Sequence, residues 1–173
     1  MKQLFLIFTI IFIGCKSEPE AADPTSDNQE DSFAISVEDI AKIDYIDYAL
    51  SPDSAEAILD WQRFQELQSN MELLKNGNLS FFRVEKKIME QFISELKMQQ
   101  PPILLSAAIR SRMTVLETDL LRLQDLSNLD NITKEILLNA IKELLIADAN
   151  LKLQINKKFE KEAQQIQLPV RTE

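Results

Sequence analysis

The chain has 173 residues and a formal net charge of −9, which disfavours nucleic acid as a partner because phosphate backbones attract basic surfaces. It contains no histidine, which excludes histidine-based catalytic triads, HExxH zinc sites and Glu-x-x-His di-iron sites. Since no other catalytic, phosphate-binding or metal-binding motif stands out, we expect a non-enzymatic protein without a metal or other cofactor.

The first fifteen residues combine one positive charge with a short apolar run and a cysteine. Lys2 precedes the apolar residues 4–13, and Gly14 and Cys15 follow them. A positive start and about 7–15 apolar residues are the features of a secretory signal peptide. The run is too short to span a bilayer, which takes about 20 apolar residues.

The sequence Phe12-Ile13-Gly14-Cys15 resembles the lipobox of a bacterial lipoprotein. The resemblance implies that residues 1–14 are a signal peptide, that cleavage occurs between Gly14 and Cys15, and that Cys15 carries the lipid. A thiol is the most nucleophilic side chain near neutral pH, which explains a cysteine at this position. Ordinary secretion is the alternative, but Phe12 and Gly14 do not form the pair of small residues that its cleavage site needs.

The same resemblance implies where the protein is located. A diacylglyceryl group on the thiol of Cys15 and a third acyl chain on its amine would anchor the protein stably, because two or more chains suffice. The membrane is therefore the first expected partner. Lys16 follows the cysteine instead of the aspartate that retains lipoproteins in the inner membrane, so we expect the outer membrane, on its periplasmic or its surface-exposed face.

Residues 15–35 form an acidic stretch between the lipobox and the apolar part of the chain. The stretch holds six acidic residues and two prolines but few apolar side chains. Such a composition cannot bury enough apolar surface to offset the entropy of folding. We therefore predict a disordered tether, with a root-mean-square length of about 25 Å.

Residues 36–168 have the composition of a helical domain. They include one glycine, Gly77, and show no alternating strand pattern. Ser51-Pro52 predicts the start of a helix, and Gly77 predicts the end of one. The predicted helices cover residues 37–49, 52–75, 79–99, 102–126 and 132–166. Because the connections are short, we expect an all-α antiparallel bundle of four main helices plus a short leading helix, with a disordered tail at 169–173.

Each predicted helix carries an apolar stripe with steps of three and four residues, which should form the core. The stripes comprise Ile40, Ile43 and Ile46; Ala57, Trp61, Phe64, Leu67, Met71 and Leu74; Phe81, Ile88, Phe92 and Leu96; Leu105, Ile109, Leu116, Leu120 and Leu123; and Leu137, Ile141, Leu144, Leu151, Ile155 and Phe159.

Arg112 and Asp148 occupy positions where the stripes of the last two helices would place apolar side chains. If these helices form a hairpin, the two residues lie within one turn of each other. One interpretation is a polar site that binds a carboxylate-bearing ligand through Arg112. The other is a partly buried ion pair that fixes the helix register, or two residues at the stripe edge whose charged groups reach water.

Two helical stretches, 140–145 and 151–158, are similar to those of small all-helical lipoproteins from Gram-negative bacteria of the Bacteroidota type. This resemblance implies no activity and no site residues. We therefore predict a helical interaction or scaffold module that is anchored in the cell envelope and binds a protein partner. The alternative is a small-ligand-binding bundle with a polar site at Arg112 and Asp148.

Overall fold

The computed structural model describes residues 35–164. The predicted signal peptide 1–14, the predicted tail 169–173 and almost all of the tether 15–35 lie outside the described residues. Gly14 and Cys15 lie outside them too, so the lipidation site stays a prediction.

Within residues 35–164 the structure has α-helices and two short 3₁₀ turns but no β-strand, which confirms the predicted all-α bundle. The six helices are α1 (Val37–Ala41), α2 (Pro52–Ala57), α3 (Gln62–Lys75), α4 (Lys86–Met98), α5 (Ala107–Ser127) and α6 (Lys134–Ala163). The 3₁₀ turns are Ser80–Phe82 and Pro102–Leu104. The four longest helices are α3 to α6, and α1 and α2 precede them.

The hairpin of α5 and α6 makes the most extensive contact between two helices. Each helix begins at a side-chain cap, since the hydroxyl of Ser106 accepts from the amide of Ile109 and that of Thr133 from the amide of Ile136. The apolar stripes predicted for these two helices are buried, apart from Leu105 and the half-buried Phe159. Burial of this seam, at about 25 cal/mol per Å² of apolar area, is the main stabilising contribution of the hairpin.

Helix α4 lies antiparallel to α5. Lys86 at the start of α4 pairs with Asp125 near the end of α5 at 3.7 Å, and Lys97 near the end of α4 pairs with Glu117. These exposed pairs contribute little stability by themselves, because solvent screens them. They show the direction of the two helices, which agrees with the predicted antiparallel order.

Gly77 ends α3 as the sequence predicts. Its φ of +80° is the left-handed conformation that favours glycine. The amide of Gly77 donates to the carbonyl of Leu74 at 2.8 Å, and that of Asn78 donates to Leu73 at 3.0 Å, which together form a Schellman motif. Ile35, the last residue of the predicted tether, is buried against this turn, and its carbonyl oxygen would lie 2.9 Å from a Cβ at Gly77.

The first predicted helix, 37–49, is wrong in length because α1 ends at Ala41. The following residues, Ile43 to Tyr48, are β-branched, aromatic or aspartate, which are weak helix formers. Side chains of α6 then hold the segment in an irregular path. Asn156 donates to the carbonyl of Ala49 and accepts from the amide of Ser51, both at 2.8 Å. Ile46, which was predicted to face inward, is 69% exposed on this path.

The second predicted helix, 52–75, is interrupted between α2 and α3. Ser51 caps α2 as predicted, but the chain turns at residues 58–61 and α3 begins at Gln62. The turn buries both Ile58 and Trp61, and the Trp61 indole donates to the carbonyl of Leu96 at 2.8 Å. No glycine or proline marks this break, so tertiary packing overrides the local propensity.

The third and fourth predicted helices begin later than the sequence suggests, at Lys86 and Ala107. The segment before α4 is held on α5, where Gln124 donates to the carbonyl of Val84 at 2.8 Å and Asn128 to that of Phe82 at 3.1 Å. Ile88 and Leu105 were predicted to be core residues but are exposed, because the neighbouring Met89 and Leu104 occupy the core positions.

Candidate functional site

Arg112 is an exposed residue on the outer side of α5. Its neighbour Met113 is buried and continues the stripe from Ile109 to Leu116. The buried stripe therefore continues four residues after Ile109, at Met113, and not three residues after it, at Arg112. Consecutive residues on a helix point about 100° apart, so Arg112 faces away from the core. The predicted placement of Arg112 in the stripe is wrong for this reason.

Asp148 is buried in α6, where it is 2% exposed, but its partners are not the predicted ones. Its Oδ2 lies 3.1 Å from Nζ of Lys152, one helical turn further along α6. Its Oδ1 accepts from the Gln68 amide nitrogen of α3 at 2.6 Å. The structure therefore does not bring Arg112 and Asp148 together, and the predicted pair is replaced by a contact between α3 and α6.

Lys152 extends the contact to a cluster of Asp148, Lys152, Asp47 and Lys75. We name it the buried charge cluster after its two buried members, Asp148 and Lys152, whereas Lys75 is half-buried and the side chain of Asp47 is 40% exposed. Nζ of Lys152 donates to Oδ1 of Asp47 at 2.8 Å. Nζ of Lys75, at the end of α3, donates to Oδ2 of the same aspartate at 2.7 Å. Asp47 thus links α3 and α6 to the irregular segment that follows α1.

The charged states of the cluster support one another. Burial alone would lower the pKa of Lys152, but the charge of Asp148 and the hydrogen bond to Asp47 outweigh burial, so its pKa is raised. Burial would likewise raise the pKa of Asp47, yet hydrogen bonds from Lys152 and Lys75 lower it. Lys152 and Asp47 are therefore both ionised at neutral pH.

The buried charge cluster is a structural site. Its charged atoms bind one another, Gln68 or Glu72. None of Asp148, Lys152 and Arg112 lines the grooves between α3 and α4, between α4 and α5 or between α5 and α6. The alternative of a ligand site built on Arg112 and Asp148 therefore has no support in the geometry.

The surface best suited to binding lies between α3 and α4, and we name it the α3–α4 groove. It has a volume of about 330 Å³. Its floor consists of Phe81, Val84, Met89 and Phe92, and Ile88, which is 55% exposed, stands at its edge. Phe81 packs edge-on against Phe92 with the ring centroids 5.0 Å apart.

Charged side chains of both helices form the rim of this groove. The guanidinium of Arg63 pairs with Glu66 at 2.5 Å and with Glu95, and it lies 5.6 Å from the ring centroid of Phe92. Hydrogen bonds from Gln91 and then from Arg63 lower the pKa of Glu95. The rim therefore carries two carboxylates beside one guanidinium over an apolar floor.

An apolar floor with a polar rim is the anatomy of a protein-binding surface. Single pieces of this site were visible in the sequence, since Phe81 and Phe92 were predicted core residues. The spacing of Arg63 and Glu66 and of Ile88, Phe92 and Glu95 also places each set on one helix face. Their meeting could not be predicted, because nothing in the sequence indicates which faces of α3 and α4 pack together.

No family model, curated protein or solved structure matches the chain. Among residues 35–164, no helix has both the length and the apolar composition that a bilayer crossing requires. In the same part of the chain, no three acidic or other potential ligand side chains come close enough together to hold a metal ion.

Proposed function

We propose that this protein is a non-enzymatic binding module of the bacterial envelope, anchored in the outer membrane by lipid on Cys15, that docks another protein in the α3–α4 groove. The groove is the observation that carries the binding role. It brings the half-buried Phe81 and Val84 and the exposed Ile88 together on one concave surface. The anchor is carried by the lipobox-like sequence that ends at Cys15.

The chemistry of the groove indicates the type of segment that it would accept. A volume of about 330 Å³ is at the small end of the range for ligand sites and is enough for one or two large apolar side chains. On the rim, Glu66 and Glu95 outnumber Arg63, and the side chain of Glu66 is 45% exposed. The partner therefore presents an apolar side chain next to a lysine or arginine.

The first experiment tests the anchor. Cells that express the full chain are grown with an alkynyl fatty acid, and the purified protein is assayed for the label. The wild-type chain should be labelled and should fractionate with membranes, while Cys15→Ala should lose both properties. Label that persists in Cys15→Ala would refute lipidation at this residue.

The second experiment tests the α3–α4 groove by photo-crosslinking in intact cells. A photoreactive side chain at Gln91, on the groove wall, should form a discrete crosslinked product. Ile88→Glu should abolish that product, because it places a charge at the edge of the apolar floor without opening the core. Ile136→Glu is the matched control, since Ile136 is a comparably exposed isoleucine of α6 that does not line the groove. Equal loss in both variants, or in neither, would contradict the proposal.

A further inference from the structure

A second groove lies between α6 and the turn that precedes α5, and we name it the α5–α6 groove. It has a volume of about 600 Å³. Ile103 and Leu105 line it and are 51% and 62% exposed, so its wall offers open apolar surface. Lys157, Lys158, Lys161 and Glu162 of α6 line the opposite wall, so the wall carries three cations and one carboxylate.

The charge of this groove is the reverse of that of the whole chain. Lys157 pairs with Glu160 at 2.6 Å and Lys158 with Glu162, but Lys161 has no ion-pair partner within residues 35–164. The other wall belongs to a stretch, residues 96–116, that contains no acidic residue. Arg112 lies in this stretch, one helical turn from the groove residue Ala108 on the same face of α5. A chain with 28 acidic and 19 basic residues thus has a locally basic and apolar groove.

The position of the groove argues for a protein as its occupant. Asp39 of α1 pairs with Lys134 at the beginning of α6, whereas the lysine wall begins at Lys157, about 35 Å further along the same helix. The chain therefore enters the bundle at the opposite end of α6 from the groove. With the anchor on Cys15 proposed above, on which this choice of occupant rests, the groove is remote from the anchored end of the domain.

We infer that the α5–α6 groove binds an acidic segment of a partner protein, with apolar side chains on Ile103 and Leu105 and carboxylates on the lysine wall. Attraction between unlike charges favours such a segment at this basic surface, although the net charge of the chain is −9.

The test measures binding of the full chain to labelled 12-residue peptides of leucine and glutamate, with peptides of serine and glutamate beside them. The leucine–glutamate peptides should bind and should be released as sodium chloride is raised toward 0.5 M, because salt screens exposed charges. The double variant Lys157→Glu/Lys161→Glu should weaken binding by about tenfold or more, and Leu105→Ser should weaken it through the apolar contact. Serine–glutamate peptides should bind more weakly than leucine–glutamate peptides.

The matched control is Lys42→Glu/Lys87→Glu, which reverses two exposed lysines away from the groove and should leave binding unchanged. Peptides of leucine and lysine suit the α3–α4 groove, so Ile88→Glu should affect them and not the leucine–glutamate peptides. This separates failure of the inference from failure of the proposed function. Absence of leucine–glutamate binding, or binding that survives Lys157→Glu/Lys161→Glu, would overturn the inference. Binding of phosphatidylglycerol vesicles through the same lysines without peptide binding would assign the groove to anionic lipid and also overturn it.

Discussion

Replacement of Lys152 by methionine removes the central cation of the buried charge cluster and keeps a side chain of similar length. Lys152 neutralises Asp148 at 3.1 Å and Asp47 at 2.8 Å. After the substitution Asp47 still has Lys75, but Asp148 keeps only the neutral amide of Gln68. The carboxylate of Asp148 is almost fully buried, so the variant leaves a buried charge without a counter-charge.

The unpaired carboxylate of Asp148 determines how much Lys152→Met should lower the free energy of unfolding. Removal of one partner of a buried ion pair destabilises proteins by about 3–5 kcal/mol, since the remaining ion cannot recover its hydration. This is a large part of the total stability of a domain, which is about 5–15 kcal/mol. Asp148→Leu should cost less than Lys152→Met, because Lys152 would keep Asp47 as a counter-ion. The double variant Asp148→Leu/Lys152→Met should be more stable than the sum of the single effects predicts, because it leaves no buried charge unpaired.

The assay is urea unfolding followed by circular dichroism, with the free energy of unfolding taken from each variant. Lys86→Met is the matched control, because Lys86 pairs with Asp125 at 3.7 Å with both side chains more than half exposed, and its loss should cost less than about 1 kcal/mol. The reasoning is refuted if Lys152→Met lowers the free energy of unfolding no more than Lys86→Met does. It is also refuted if the effects of Asp148→Leu and Lys152→Met on the free energy of unfolding are additive.

Three further substitutions test single contacts of the fold. Gly77→Ala should cost about 1–3 kcal/mol in thermal unfolding, because the left-handed φ is strained for alanine and its Cβ would lie 2.9 Å from the Ile35 carbonyl; Asn78→Ala, at the next residue, should cost less. Trp61→Phe should lower the free energy of unfolding by about 1–3 kcal/mol, because the carbonyl of Leu96 in α4 loses the indole that donates to it. An unchanged free energy of unfolding would mean that water satisfies this carbonyl. Hydrogen bonds from Lys134 of α6 and from Ser36 at the α1 cap lower the pKa of Asp39 from 3.8 to about 2. Asp39→Asn should therefore be less stable than the wild-type chain above pH 4, and the difference should disappear as the pH falls toward 2. A difference that is constant with pH would refute this.

The sequence was a reliable guide where local chemistry and packing agree. The helices α5 and α6 have long apolar stripes and begin after the capping residues Ser106 and Thr133. Gly77 is the one glycine of residues 36–168, and its positive φ is the conformation that ends a helix. At these places the propensity, the capping residue and the buried face all favour the same structure. The start of a helix at Pro52 was predicted correctly for the same reason, because Ser51 as the cap and proline at the first position both favour it.

The sequence was a poor guide where a distant side chain determines the local structure. The turn at residues 58–61 exists because Ile58 and Trp61 reach the core together, and the irregular path before α2 exists because Asn156 binds its backbone from more than 100 residues away. The buried cluster shows the same limit. Asp148 and Lys152 have the spacing of a helical ion pair, which the sequence shows, but their burial depends on Asp47 and Gln68 from elsewhere in the chain.

The buried charge cluster and the two grooves differ in how far their groups are already satisfied within the chain, and this makes the grooves the better binding surfaces. In the cluster, the charged atoms bind groups of the same chain, so a ligand would have to displace a contact as good as any it could offer. In the α3–α4 and α5–α6 grooves, apolar side chains remain open to solvent beside charged groups, so a partner would gain from burying them. The grooves are lined by different helices and carry rims of opposite charge. A single bundle could therefore hold two dissimilar segments at once, and substitutions in one groove should leave the other intact.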